Sequence, residues 1–221
     1  MTQYKKMKSF TDMGQVNTLL DNLYPVSKKE LKAVCKVLGD AFSKDPLMEA
    51  WNLKGEEIDT CYEMFIRYCL RYGSVYATAE KLEGIMAILP SKNGIMTAWP
   101  MIRSGAIFPA MKIRKKFMKE MQETLKVLDE EKKNFDIYPH IYLAVLGVSQ
   151  KNQRKGYGGK MMRTLIEMAD NEGLPIYFET QTEGNVRFYK KSGFGVMKEL
   201  KLPNFNLHMW YMVRKNIVDT R

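Results

Sequence analysis

The sequence predicts an α/β domain in which a mixed β-sheet is flanked by helices. Two amphipathic helix patterns and a hairpin occupy residues 27–89. A near-continuous apolar run, Ile141–Val148, is followed by a glycine-rich turn, a helix and a second apolar strand. Strand, crossover helix and strand read as a parallel pair, whereas the hairpin is antiparallel, so the sheet is mixed. At 221 residues the chain suits one large domain. Residues 1–26 read as a lead-in and 27–221 as the domain.

The elements follow in order. Ser27-Lys28-Lys29-Glu30 has capping-box spacing, and Leu31, Val34, Cys35, Leu38 and Phe42 then recur at helical intervals. Asp45-Pro46 is expected to end that helix. A second helix fits 56–72, with Ile58, Cys61, Phe65 and Cys69 on one stripe. Ser74–Ala79 and Gly84–Leu89 read as two strands of a hairpin. Residues 91–135 break the rhythm: Pro100 and Pro109 punctuate them, and 110–133 is charge-rich and helical. The blocks KIRKKFMKE and DEEKK read as solvated helix faces. The whole segment reads as a helical insertion near a binding cleft.

Ile141–Val148 has the apolar continuity of a central strand. A helix follows over about 157–172, with Met161, Leu165 and Ala169 inward and Lys160, Arg163, Glu167 and Asp170 outward. Gly173-Leu174-Pro175 stops it, and Ile176–Thr180 is the next strand. A short helix is expected over 185–192, with Asn185 as N-cap and Gly193 closing it. Phe194–Leu202 and Leu207–Arg214 read as closing strands.

Composition narrows function. Hydrophobic residues are 45% and charged residues 27%, which excludes disorder and a collagen-like fibre. The net charge of +10 favours an anionic partner: nucleic acid, a phosphorylated cofactor or a membrane surface. Cys35, Cys61 and Cys69 form no CxxC pair, so a disulfide framework is not expected and a reducing cytoplasm is. The basic N-terminus is followed by no apolar run, and no stretch reaches the roughly 18 apolar residues of a membrane helix. Neither a secretory signal nor a membrane partner is expected. His140 and His208 lie far apart, so no metal site is expected.

The segment Val148–Lys160 carries the chemistry. A strand ends, a helix begins, and glycines let backbone N–H groups approach a ligand. A helix N-terminus with Arg154, Lys155 and Lys160 nearby suits a pyrophosphate. A P-loop fits poorly, because Gly159-Lys160 is followed by Met161 rather than Ser or Thr. A dinucleotide fingerprint lacks its third glycine, for which Met161 stands. Gln153-Arg154-Lys155-Gly156-Tyr157-Gly158 instead matches the Q/R-x-x-G-x-G/A turn of the GNAT superfamily of N-acetyltransferases. Downstream, Asn185-Val186-Arg187-Phe188-Tyr189 with Gly193-Phe194 resembles that family's second signature, N-x-x-x-Y followed by G-F. Ala41–Leu47 resembles its first-helix end, and Gln150 departs from a position where relatives often carry proline.

The resemblance implies a single GNAT-like domain whose two central parallel strands splay apart. It implies acetyl-CoA as co-substrate, with Leu146, Gly147 and Val148 along the splay and Gln153, Arg154, Lys155, Gly156, Tyr157, Gly158 and Gly159 around the pyrophosphate. It places Asn185 at the pantetheine end. Tyr189 is the candidate acid that protonates the leaving thiolate, and Glu179 a candidate base, although salt bridging or solvation is the commoner fate of such a carboxylate. The expected reaction is acetyl transfer to a primary amine, of a small molecule in preference to a protein, by a monomer or homodimer. A non-catalytic acyl-CoA-binding protein and a basic nucleic-acid-binding module remain as alternatives. No nucleic-acid motif supports the latter.

Overall fold

The computed structural model describes residues 20, 22–133, 139–202 and 205–215. Its elements run β1 (Tyr24–Pro25), α1 (Leu31–Ala41), α2 (Pro46–Ala50), α3 (Glu56–Tyr72), β2 (Ser74–Ala77), β3 (Gly84–Pro90), α4 (Ala98–Ser104), α5 (Ile107–Ala110), α6 (Lys115–Lys133), β4 (Ile141–Val148), α7 (Tyr157–Glu172), β5 (Ile176–Thr180), α8 (Glu183–Lys190), β6 (Gly195–Leu202) and β7 (Leu207–Arg214). The strands form one mixed sheet in the order β1-β2-β3-β4-β5-β7-β6. Among the described residues, only β4 and β5 pair in parallel.

Local chemistry sets the starts and stops. The Ser27 hydroxyl accepts the Lys29 amide, and Glu30 accepts the Ser27 amide at 2.8 Å, so the expected capping box opens the turn that leads into α1. Asp45-Pro46 does not end α1, which already stops at Ala41, but opens the next helix. The Asp45 carboxylate accepts the Leu47 amide at 2.9 Å, and Pro46 occupies the first position of α2. Gly173 takes φ +68° at the end of α7, where a β-carbon would be strained. The lead-in also contributes: Tyr24–Pro25 pairs with Ala77–Tyr76 at the sheet edge, and Leu20, Leu23 and Val26 are buried. Residues 1–19 lie outside the described residues.

The sheet divides the core in two. On one face α1, α3 and α6 cover Ile85, Ala87, Leu89, Tyr142, Val145, Tyr177 and Tyr211. On the other, α7 and α8 bury Met161, Leu165, Ala169, Val186 and Tyr189 against Met86, Ile88, Ile141, Leu143, Ile176 and Phe178. Each fully buried Ile, Leu or Met contributes about 1.5–3 kcal/mol of transfer free energy, so burial rather than helix propensity anchors these helices. The expected single stripe on α3 is a partial description. Ile58 and Cys69 are buried, but so are Tyr62, Met64, Ile66 and Tyr68, while Cys61 and Phe65 are only half-buried. The reason is that α3 lies between the sheet on one side and α1, α4 and α5 on the other.

Residues 91–133 form α4, α5 and α6. α6 packs Phe117 edge-on to Trp51 at 5.4 Å, and Thr124 accepts the Trp51 indole N–H at 3.3 Å. The expectation that DEEKK is a solvated face fails at Lys132, which is buried on the sheet side of the last helical turn. Its neighbour Glu131 pairs instead with Lys198 on β6.

Candidate active site

The site begins with a missing ladder. β4 pairs with β3 along its whole length, and β5 pairs with β7 along its whole length. Between β4 and β5 only Ile141↔Ile176 and Tyr142↔Tyr177 are in register. Past those pairs the strands part, leaving a gap edged by 143–148 and 178–180. The local cause is one extra residue. Ala87 faces Val145 and its neighbour Ile88 faces Leu143, so Ala144 is a bulge in β4. A bulge bends its strand and raises its twist, which carries the upper half of β4 away from β5. Leu146, Gly147 and Val148 therefore lie along this gap.

At the open end of the gap stands the glycine turn. Gly156 takes φ +88° and caps α7, with Arg154 at φ +62° two residues before it. Lys160 donates to the Gly156 carbonyl at 2.9 Å. The preceding first-turn amides, Tyr157, Gly158 and Gly159, have no intrahelical acceptor. A β-carbon added at Gly156 would meet nothing within 4 Å, and one at Gly158 would make only an ordinary 3.7 Å contact with Val148. The protein's own packing does not require these glycines to lack a side chain, so the space above them suits an anionic ligand. Gly147 is different. A β-carbon there would lie 2.6 Å from Phe42 and 2.9 Å from Leu38, so this glycine admits α1 against β4.

Side chains hold the turn in place. Gln153 donates to the Val148 carbonyl at 3.2 Å, and Lys155 donates to Asn152 at 3.3 Å. The Gln150 amide donates to Asp40 at 2.7 Å, while its side chain donates to the Asp40 carbonyl at 3.0 Å and the Ser43 hydroxyl at 2.6 Å. A proline at 150 could not make the first of these bonds. The residue that departs from the family pattern is thus the one that fastens the turn to α1.

The helix after β5 starts earlier than expected. Thr182, not Asn185, is the N-cap: its hydroxyl accepts the Asn185 amide at 3.2 Å. Asn185 sits inside the first turn of α8, exposed, and its side-chain amide donates to the Thr180 hydroxyl at 3.0 Å. That bond joins α8 to the end of β5 at the gap. Tyr189, one turn later, packs on Phe178 at 4.3 Å and near Phe194 at 6.0 Å. Burial raises its phenol above the ordinary value, so it holds its proton.

Glu179 points to the opposite face from Phe178, as alternation along β5 requires. It is neither solvated nor free. Its carboxylate accepts from Tyr142 and Tyr177, each at 2.9 Å, and lies 3.5 Å from the Lys132 ammonium. Burial, then the Glu179 charge, raises both phenols, which keeps them as donors to the carboxylate. Glu179 and Tyr189, nominated together as base and acid, therefore stand on opposite sides of one strand beside the gap.

Sequence reasoning missed Tyr142, Tyr177, Lys132 and Thr182. Thr182 carried a usable signal, being a hydroxyl three residues before Asn185 and directly ahead of an acidic first turn. The two tyrosines sat in apolar runs and read as core. Lys132 was camouflaged by its charged neighbours.

Among the described residues, no group of three His, Cys, Asp or Glu side chains could hold a metal ion, and no helix is long and apolar enough to cross a membrane.

The site is thus a gap between two parallel strands of a mixed sheet, with a glycine-opened helix at its open end. Residues 125–194 match the family model described as acetyltransferase (GNAT) family. An uncharacterized N-acetyltransferase of Schizosaccharomyces pombe is 28% identical over 195 residues, covering 82% of this chain and 77% of that protein. Two solved structures share the fold. One, described as histone acetyltransferase HPA2 and related acetyltransferase from Corynebacterium glutamicum, is 15% identical with a TM-score of 0.60, covering 90% of this chain and 98% of that one. The other is arylalkylamine N-acetyltransferase 2 from Aedes aegypti, 17% identical with a TM-score of 0.61, covering 87% of this chain and 97% of that one. Residues 125–194 thus resemble the GNAT acetyltransferase family, and the chain shares its fold with solved acetyltransferases.

Proposed function

We propose that the protein transfers an acetyl group from acetyl-CoA to a primary amine of a small molecule. The observation that carries this reading is the gap between β4 and β5 running up to the Gly156 turn. One end offers free helix amides and the Arg154, Lys155 and Lys160 side chains to a diphosphate. The gap itself offers unpaired strand edges to an amide chain. Bound there, coenzyme A would supply an activated acyl thioester. The residues Leu146, Gly147, Val148, Gln153 to Gly159, and Asn185 are the proposed contacts.

Each side of β5 then has a task. Glu179 takes the proton of the acceptor amine, making the nitrogen nucleophilic. Tyr189 gives a proton to the departing sulfur from the other side. Holding both reactants in one gap supplies much of the rate by proximity. The small-molecule preference is supported by α6, which roofs the Glu179 face through Phe117, Leu128 and Lys132 and leaves it enclosed.

Thiol release from acetyl-CoA, screened against polyamines, arylalkylamines, amino acids and peptides, tests the reading. Turnover with at least one small amine is expected. Turnover with peptides alone would replace the small-molecule acceptor with a protein one, and no heat on titrating acetyl-CoA would remove the enzymatic reading.

A further inference from the structure

At the closed end of the gap one side chain of the chain itself is an amine. The Lys132 ammonium lies 3.5 Å from Glu179 Oε1 and 3.8 Å from Asp129 Oδ1. It donates to the Tyr142 hydroxyl at 3.2 Å and the Gly94 carbonyl at 3.4 Å, and sits 4.3 Å from the centre of the Tyr142 ring. A carboxylate, neutral acceptors and an aromatic ring are what a primary ammonium needs on leaving water.

The position matters as much as the chemistry. Tyr142 and Tyr177 are the last paired residues of β4 and β5, so the gap begins at the side chains that build this box. From Val148 back to Tyr142 the strand spans roughly 20 Å, at about 3.3 Å per residue. An extended donor entering at the Gly156 turn would therefore bring its far end toward the Glu179 face.

Two further observations fit a site with more than a tether in mind. A small cavity adjoins the ammonium, bounded by Gly94, Ile95, His140, Tyr142 and Tyr177. Beside Tyr177, Tyr211 is 2% exposed, and its hydroxyl has no hydrogen-bond partner among the described residues. A buried phenol without a partner is costly unless something else completes it.

We infer that Lys132 occupies the subsite for the acceptor's ammonium group, so that a primary amine binds by displacing Lys132 together with the last turn of α6. The inference rests on the acetyl-transfer reading above. It makes the acceptor a primary amine on a slender alkyl arm, and it makes α6 an internal competitor. Displacement also frees Glu179 from its cation before it takes up the substrate's proton.

The test uses the full chain, acetyl-CoA, and n-butylamine as a mimic of a lysine side chain. Lys132→Met should lower the KM for n-butylamine at least tenfold while acetyl-CoA affinity by calorimetry stays as in wild type. Lys132→Arg, which keeps a cation in the box, should give no such drop. A KM that is unchanged or higher in Lys132→Met overturns the inference. Should that variant not fold, hydrogen exchange on the wild type decides: saturating n-butylamine should speed exchange over 125–133, and unchanged or slower exchange overturns it. A wild type that binds no acetyl-CoA overturns the acetyl-transfer reading itself, whereas one that acetylates n-butylamine with no Lys132 effect overturns only the displacement.

Discussion

The backbone N–H of Gln150 donates to Asp40 Oδ2 at 2.7 Å, across 110 residues of sequence. This bond ties the turn after β4 to the C-terminal end of α1. Removing it frees the segment that presents the Gly156 amides. Asp40→Ala should cost roughly 1 kcal/mol of stability, the usual net worth of one such bond. Acetyl-CoA affinity should fall by about fivefold if the same energy appears in binding. Urea titration and calorimetry on the one variant check both numbers.

Two glycines separate packing from ligand approach. Gly147→Ala places a β-carbon 2.6 Å from Phe42, so it should destabilise the fold by about 1–3 kcal/mol through overpacking. Gly158→Ala meets only Val148 at 3.7 Å and lies in a helix, so stability should hold or rise by up to about 1 kcal/mol. Acetyl-CoA binding should nevertheless weaken in Gly158→Ala. A variant that is both stable and tight-binding would remove Gly158 from the cradle.

Tyr189→Phe keeps the ring contacts with Phe178 and Phe194 and removes only the hydroxyl. Turnover should drop by about 10²–10⁴-fold, the usual contribution of a general acid. The dissociation constant for acetyl-CoA and the thermal midpoint should be unchanged. Retained turnover in an assay limited by chemistry would return Tyr189 to a packing role.

Stability should fall on the alkaline side. Burial pushes the Cys35 thiol from 9.0 up to about 12. Its folded value lies above its unfolded value, so its contribution is complete below pH 9 and is lost as pH rises toward 12. Urea midpoints measured from pH 7 to 11 should hold to about 9 and then decline. Cys35→Ala should flatten part of that decline.

How much of this was legible from sequence depended on how far apart the interacting residues lie. The α3 boundaries and the Ser27 capping box were readable because their causes sit within one or two turns. The Gly156 turn was readable because a left-handed glycine and a helix start are local facts. The Ala144 bulge was not, because it exists only relative to β3. Lys132 was misread for the same reason: five consecutive charged residues look solvated until Glu179, Tyr142 and Gly94 converge on one of them. Thr182 was within reach, but Asn185 carried the family match and took the cap's place in the argument.

Ala144 also fixes which way its neighbours look. Leu143 faces the α7 layer, while Val145, two positions on, belongs to the α1 layer. A strand without an extra residue would send both the same way. Excising that single alanine would make Leu143 and Val145 consecutive, which a regular strand already sends to opposite faces, so both layers would keep their side chains while the bend that parts β4 from β5 was lost. One small aliphatic residue thus decides whether this sheet is an open cleft or a sealed wall.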